Sequence, residues 1–162
     1  RELQTSGDHP SRRFAHSAVV YENDMYIYGG LDRLGAFEPS PQREDGNSMF
    51  CLNLSTCSWS VKKFKGRAPS GQTYGATCVP MKNGMVVALG HGNTEIYVLN
   101  FDEQRWKKIY LVGDDLLGRM YHSASVFPDR DVVVLFGGQN RKMNQEFHDT
   151  YMLHMIKEDP IL

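Results

Sequence analysis

A chain of 162 residues, 41% of them hydrophobic, is long enough to bury a core and short enough to form one domain. Its formal net charge is −1 with both signs interspersed, so there is no basic field to hold a phosphate backbone, and a nucleic-acid partner is not expected. No run approaches the roughly 18 consecutive apolar residues of a membrane span, so no membrane partner is expected. Three cysteines, an odd count without zinc-like spacing, point to a reducing compartment, with the cytoplasm as the expected location.

Residues 1–12 read as a connector, in which 2–5 can form the tail of an outer strand. Arg13-Phe-Ala-His16 opens the first unit. Residues 16–21 and 24–28 are expected strands around the tight polar turn Glu22-Asn23. Gly29-Gly30 ends the second strand, where glycine lets the backbone turn at positive φ and lets neighbouring chains approach. Residues 31–47 form the longest irregular stretch, with Phe37 as its one large apolar side chain.

A third strand is expected over 48–54 and a fourth, carrying Trp59, over 57–64. A turn at Ser55-Thr56 sets Cys51 opposite Ser60, so Cys51 and Cys57 are not cross-strand partners, and all three cysteines read as small apolar residues. Lys62, Lys63, Lys65 and Arg67 read as a solvated, charge-protected edge.

The second unit opens near Tyr74, which is expected where His16 and His122 stand, with Gly71 in the place of Arg13 and Arg119. In this unit Leu89-Gly90-His91-Gly92 replaces the double glycine. The third runs from Arg119-Met-Tyr-His122 through 131–136 and Gly137-Gly138 to 149–155. The apolar runs 85–89 and 132–136 are continuous, as in strands covered on both faces.

Trp59 and Trp106 lie 47 positions apart, and the twelve residues ending at each align without a gap, sharing Leu52 with Leu99 and Asn53 with Asn100. Carried forward, the same spacing lands on Pro160, which has no N–H for a ladder, so a regular fourth strand is not expected there.

Together the Arg and His before the first strand, the Gly-Gly after the second, the aromatic-rich third strand and the Trp of the fourth resemble the kelch repeat. The resemblance implies an all-β fold: a kelch β-propeller segment of three four-stranded antiparallel blades, over about 13–64, 72–111 and 119–156. The last blade is expected to lack its outer strand, or to take it from residues 1–5 or from another chain. Three blades fall below the usual range of about four to eight, so the chain is expected to be part of a larger propeller. Its uncovered blade faces call for further blades of the same chain or for self-association.

The function the resemblance implies is that of a non-enzymatic protein–protein interaction module, a scaffold or adaptor that binds a partner protein through its loop face. One alternative is the substrate-recognition subunit of a ubiquitin ligase. In another class, the alternative is a copper enzyme similar to galactose oxidase. Against the enzyme, Tyr26, Tyr28, Tyr97 and Tyr151 match blade-core positions, and no catalytic residue, metal ligand or cofactor is assigned. His16 and His122 share one repeat position and read as rings satisfied by backbone, while His9, His91, His148 and His154 are scattered. The second-to-third loops and the connectors share one face. Arg33, Phe37, His91, Asn93, Asn140 and Arg141 on it are the candidate contacts for a partner.

Overall fold

A computed structural model describes residues 1–31, 48–69, 73–88, 90, 94–114, 116–127 and 130–155 of the chain, with backbone alone at 87 and 88. Every regular element among them is a β-strand. The first sheet holds β1 (Ser6–Gly7), β2 (Phe14–Tyr21), β3 (Asp24–Leu31), β4 (Ser48–Asn53) and β5 (Ser58–Lys63), in the order β1-β5-β4-β3-β2. The second holds β6 (Lys65–Gly66), β7 (Thr77–Met81), β8 (Gly84–Ala88), β9 (Ile96–Asn100) and β10 (Arg105–Ile109), in the order β6-β10-β9-β8-β7.

In the third sheet β11 (Ser123–Phe127), β12 (Val132–Phe136) and β15 (Thr150–His154) pair in that order. Between its last two strands a small hairpin is inserted, β13 (Gln139–Asn140) with β14 (Gln145–Glu146). Strands β2 to β5, β7 to β10, and β11, β12 and β15 thus form antiparallel meanders, with β1 and β6 added in parallel at the outer edges of the first two. The innermost strands β2, β7 and β11 pack on one another, so the meanders stand radially as propeller blades.

Backbone pairing agrees with the internal repeat: Trp59 lies opposite Leu52, Trp106 opposite Leu99, and Cys51 opposite Ser60. Pairing stops at Asn53–Ser58 and Asn100–Arg105, and four residues make each turn. The Asn53 side-chain oxygen accepts the N–H groups of Ser55 and Thr56 at 3.2 and 3.0 Å, and that of Asn100 accepts Glu103 N–H at 2.8 Å. Cys57 and Gln104 close these turns at φ 54° and 51°. An Asn whose amide replaces a backbone acceptor is suited to this start.

Two expectations are corrected. Thr77 pairs with Ala88 as Ser17 pairs with Tyr28 and Ser123 with Phe136, which puts Ala76 at the position of His16 and His122, and Thr73 at that of Arg13 and Arg119. Tyr74 and Gly71 lie two residues away, because the turn between Met81 and Gly84 fixes the hairpin register. Residues 1–5 form no strand. Instead β1 runs parallel to β5 at the outer edge of the first blade.

The blades meet along two seams. Val19, Tyr26, Tyr28, Met49, Cys51 and Phe64 pack against Cys78, Met85, Tyr97, Leu99, Phe101 and Trp106 between the first and second blades. Val79, Val86 and Ile96 pack against Leu116, Val133, Leu135 and Leu153 between the second and third.

Candidate interaction face

The residues at or just ahead of the start of the innermost strands tie the blades together at one end. Ala15, Gly75 and Tyr121 occupy equivalent positions, and all three are left-handed, at φ 54°, 70° and 58°. Gly75 N–H donates to the Ala15 carbonyl at 2.9 Å, and Tyr121 N–H to the Gly75 carbonyl at 3.0 Å. The next turn of this lacing comes from side chains. Thr77 Oγ1 donates to the His122 carbonyl at 2.9 Å, and Cys78 N–H donates to Ser17 Oγ at 2.9 Å. Left-handed backbone at Ala15 and Tyr121 is strained and persists because these bonds hold it. Gly75 is needed for a second reason: a Cβ there would stand 2.9 Å from Met120 Cβ and 3.2 Å from Tyr121 Cε1, since the Tyr121 ring lies across it.

The paired Arg and Gly-Gly of the repeat form one device. Arg13 Nη1 donates to the Gly29 carbonyl at 2.9 Å and Arg119 Nη1 to the Gly137 carbonyl at 3.0 Å, while each Nε donates to the carbonyl two residues back. Their guanidinium groups lie 5.2 Å from the ring centres of Phe50 and Tyr151, which are equivalent residues of β4 and β15. The connector is thereby bolted to the end of the second strand. Arg119 is fully buried and also pairs with the carboxylate of Asp149, which holds that carboxyl below its usual range. In the second blade Glu95, the counterpart of Asp149, instead takes Lys108 at 2.5 Å and the Tyr97 hydroxyl at 2.6 Å.

His122 is buried, and neither ring nitrogen has a hydrogen-bond partner, contrary to the backbone partner expected of it. Burial, and then the charge of Arg119, push its pKa down to about 4. It is a neutral packing residue.

Four of the candidate contacts, Arg33, Phe37, His91 and Asn93, lie outside the described residues. Asn140 is a correction. It is buried, its Nδ2 donates to the Gly118 carbonyl at 2.7 Å, and its Oδ1 accepts Met143 N–H at 3.1 Å. It leads the same four-residue turn as Asn53 and Asn100, closed by Asn144 at φ 48°, and so folds the β13–β14 hairpin instead of facing a partner.

Arg141 is exposed at the tip of that hairpin, its guanidinium carbon 5.9 Å from the centre of the Tyr121 ring. Tyr121 (44% exposed) and Met143 (55%) join it, with Leu117 on the adjoining connector and Phe14 at the start of β2 also exposed. None of these four was singled out in the sequence. The available signal was Tyr121 itself, a large aromatic where the other repeats carry Ala15 and Gly75.

The described residues contain no cluster of three or more His, Cys, Asp and Glu placed to hold a metal ion. Burial pushes the phenols of Tyr26 and Tyr28 up, and that of Tyr97 up to about 12, so they stay protonated and act as core. The thiols of Cys51 and Cys78 rise to about 11 and about 12 for the same reason.

The family described as the Attractin/LZTR1 beta-propeller matches residues 1–158. Similar proteins include Tip elongation aberrant protein 1 of Schizosaccharomyces pombe, 27% identical over 94% of this chain and 13% of that protein. Kelch domain-containing protein 3 of Rattus norvegicus is 28% identical over 91% of this chain and 40% of that protein. The Leucine-zipper-like transcriptional regulator 1 homolog of Drosophila melanogaster is 29% identical over 97% and 17% respectively. The chain therefore spans well under half the length of these relatives. The solved structure of YjhT superposes with a TM-score of 0.61 at 19% identity, over 82% of this chain and 45% of that one, a likeness of fold alone. With the repeat, the radial blades and this match over nearly its whole length, the chain belongs to the Attractin/LZTR1 β-propeller family, and its fold is a kelch-type propeller segment.

Proposed function

We infer that this chain is a non-enzymatic protein-interaction module that presents its connector and second-to-third loop face to a partner protein, as a cytoplasmic scaffold or adaptor. The observation that carries this reading is the exposed Tyr121–Arg141 pair with Met143 beside it, standing on a backbone laced across all three blades. An aromatic and an arginine on a rigid platform lose little entropy on docking, and both residue types are favoured at binding hot spots. The protonated, buried phenols and thiols support a packing role for the groups an oxidase would use. Three unpaired cysteines support a reducing location.

The test is a quantitative affinity purification comparing the wild-type chain with a Tyr121→Ala, Arg141→Glu variant of unchanged thermal midpoint. Partners recovered with the wild type are expected to fall by about tenfold or more with the variant. Equal recovery from both sinks the assignment of the face. Cullin-type ligase components among the lost partners identify a ligase receptor, and cytoskeletal proteins alone a scaffold. Copper at one per purified chain overturns the non-enzymatic reading.

A further inference from the structure

The inserted β13–β14 hairpin raises three exposed side chains, Arg141, Lys142 and Met143, that make none of the hydrogen bonds folding it. Its turn is held from either side. Asn140 Oδ1 accepts Met143 N–H at 3.1 Å, and Asn144 N–H donates to the Arg141 carbonyl at 3.3 Å. Two neighbouring cations at a tight tip repel one another, so their charge does not serve the turn. Glu146 stands at the base of the hairpin, opposite Gln139, which leaves the tip itself uniformly positive.

Three other cations of the second and third blades meet carboxylates. Lys107 pairs with Glu103 at 3.3 Å, Lys108 with Glu95 at 2.5 Å, and the buried Arg119 with Asp149. Among the described residues neither Arg141 nor Lys142 forms such a pair. Arg141 meets a ring instead, its guanidinium carbon 5.9 Å from the centre of Tyr121. That ring is fixed. Its Cε1 and Cδ1 edge lies 3.2 and 3.3 Å from where a Cβ on Gly75 would stand, and Tyr121 N–H is bonded to the Gly75 carbonyl. A ring face orients a guanidinium but leaves its charge and its fork of N–H donors open to a carboxylate. Beside that open fork lie the exposed parts of Tyr121 and Met143, an aromatic and a thioether that adapts to irregular apolar partners.

We propose that this tip binds an acidic segment of a partner protein, in which an internal Asp or Glu side chain takes the Arg141 guanidinium and a neighbouring apolar residue packs on Tyr121 and Met143. Lys142 adds its charge to the same end of the segment. Arg141 carries the specificity because a guanidinium makes two parallel bonds to one carboxylate, which an ammonium does not. This rests on the reading of the loop face as the interaction surface and names the chemistry that docks there.

In the experiment, random peptides joined at both ends to a phage coat protein, so that no chain end is free, are selected on the immobilised 162-residue chain. The selected sequences are then made with acetylated and amidated ends and titrated by fluorescence anisotropy. They are expected to carry Asp or Glu beside an aromatic or aliphatic residue and to bind less tightly as salt rises. Arg141→Glu with Lys142→Glu is expected to weaken binding about tenfold or more, and Arg141→Lys, which keeps the charge and loses the fork, to weaken it less. Both positions are exposed, so the thermal midpoint is expected to stay unchanged in the double reversal. Absence of selected peptides overturns the acidic ligand, as do acidic peptides that bind the double reversal as well as the wild type. Neutral or basic peptides that are lost with Tyr121→Ala overturn it while keeping the face; peptides indifferent to both Tyr121→Ala and Arg141→Glu remove the face itself. A thermal midpoint that drops on charge reversal overturns it by giving the tip a carboxylate of this chain. Phosphatidylserine vesicles that bind the wild type and not the double reversal, with no acidic peptide selected, overturn it by making the tip a lipid contact.

Discussion

The two seams between the blades are built on the same strand plan with opposite side-chain chemistry. Between the first and second blades Phe101 stacks on Tyr21 at a centroid distance of 4.7 Å and tilts against Tyr26 at 4.4 Å, and Tyr28 tilts against Trp106 at 5.9 Å. Between the second and third the contacts are aliphatic, from Val79, Val86 and Ile96 to Val133, Leu135 and Leu153. Strand pairing fixes the backbone of both, so each seam is free to choose how it fills the space. The aromatic choice buries more area per residue, but it also buries the Tyr28 hydroxyl and the Trp106 indole N–H without partners. Among the described residues the aliphatic seam has no such group along its length, and the buried polar side chains Arg119 and His122 stand where the third blade begins.

The largest effect that tests this contrast is Trp106→Ala, expected to cost about 4 kcal/mol, from the lost transfer energy of the indole and the cavity it leaves. Leu135→Ala, at equal depth in the other seam, is expected to cost about 3 kcal/mol. Tyr28→Phe removes an unpartnered hydroxyl and is expected to change stability by less than about 1 kcal/mol, in either direction. Urea unfolding with an unchanged m-value measures all three. If Leu135→Ala costs as much as Trp106→Ala, and Tyr28→Phe destabilises like a lost hydrogen bond, the seams are energetically alike and the contrast fails.

Next in size is the polar end of the aliphatic seam. Asp149→Ala leaves the Arg119 guanidinium buried without its carboxylate, held by carbonyls and by the Phe147 and Tyr151 rings, which is expected to cost about 3 kcal/mol, the lower end of the range because Asp149 is itself partly exposed. Glu95→Ala, at the same position of the second blade, removes a pair whose members both reach solvent and is expected to cost about 1 kcal/mol. Equal losses at the two positions would show that burial of Arg119 does not set the energetics of the pair.

What the sequence shows of this arrangement is the part written in side chains that repeat. The blade plan follows from Trp59, Trp106 and the glycine breaks, because these residues meet the same backbone in each copy. The offset at Tyr74 was hidden because the second blade carries Thr73 and Ala76 where the others carry Arg and His, leaving register to a two-residue turn. Asn140 looked like a loop residue because the turn it leads occurs elsewhere in the repeat, between the second and third strands instead of the third and fourth. The importance of Tyr121 depends on a left-handed backbone and a bond to Gly75, neither of which a residue name discloses.

The smallest effect near neutral pH comes from His122, and its sign is set by burial. The folded chain holds this ring at a pKa of about 4, below the 6.5 of an exposed histidine, so the unfolded chain takes up the proton first. Its contribution is therefore constant above pH 6.5, and stability is lost as pH falls from 6.5 towards 4. At pH 5.5 the expected loss is about 1 kcal/mol relative to pH 7.5. His16 occupies the equivalent position in the first blade but is exposed. His122→Ala is therefore expected to flatten the stability profile between pH 7.5 and 5.5. Chemical denaturation at four pH values in that interval resolves the difference, and an unchanged slope in His122→Ala would place the acid sensitivity elsewhere, removing the polar end of the aliphatic seam from the account.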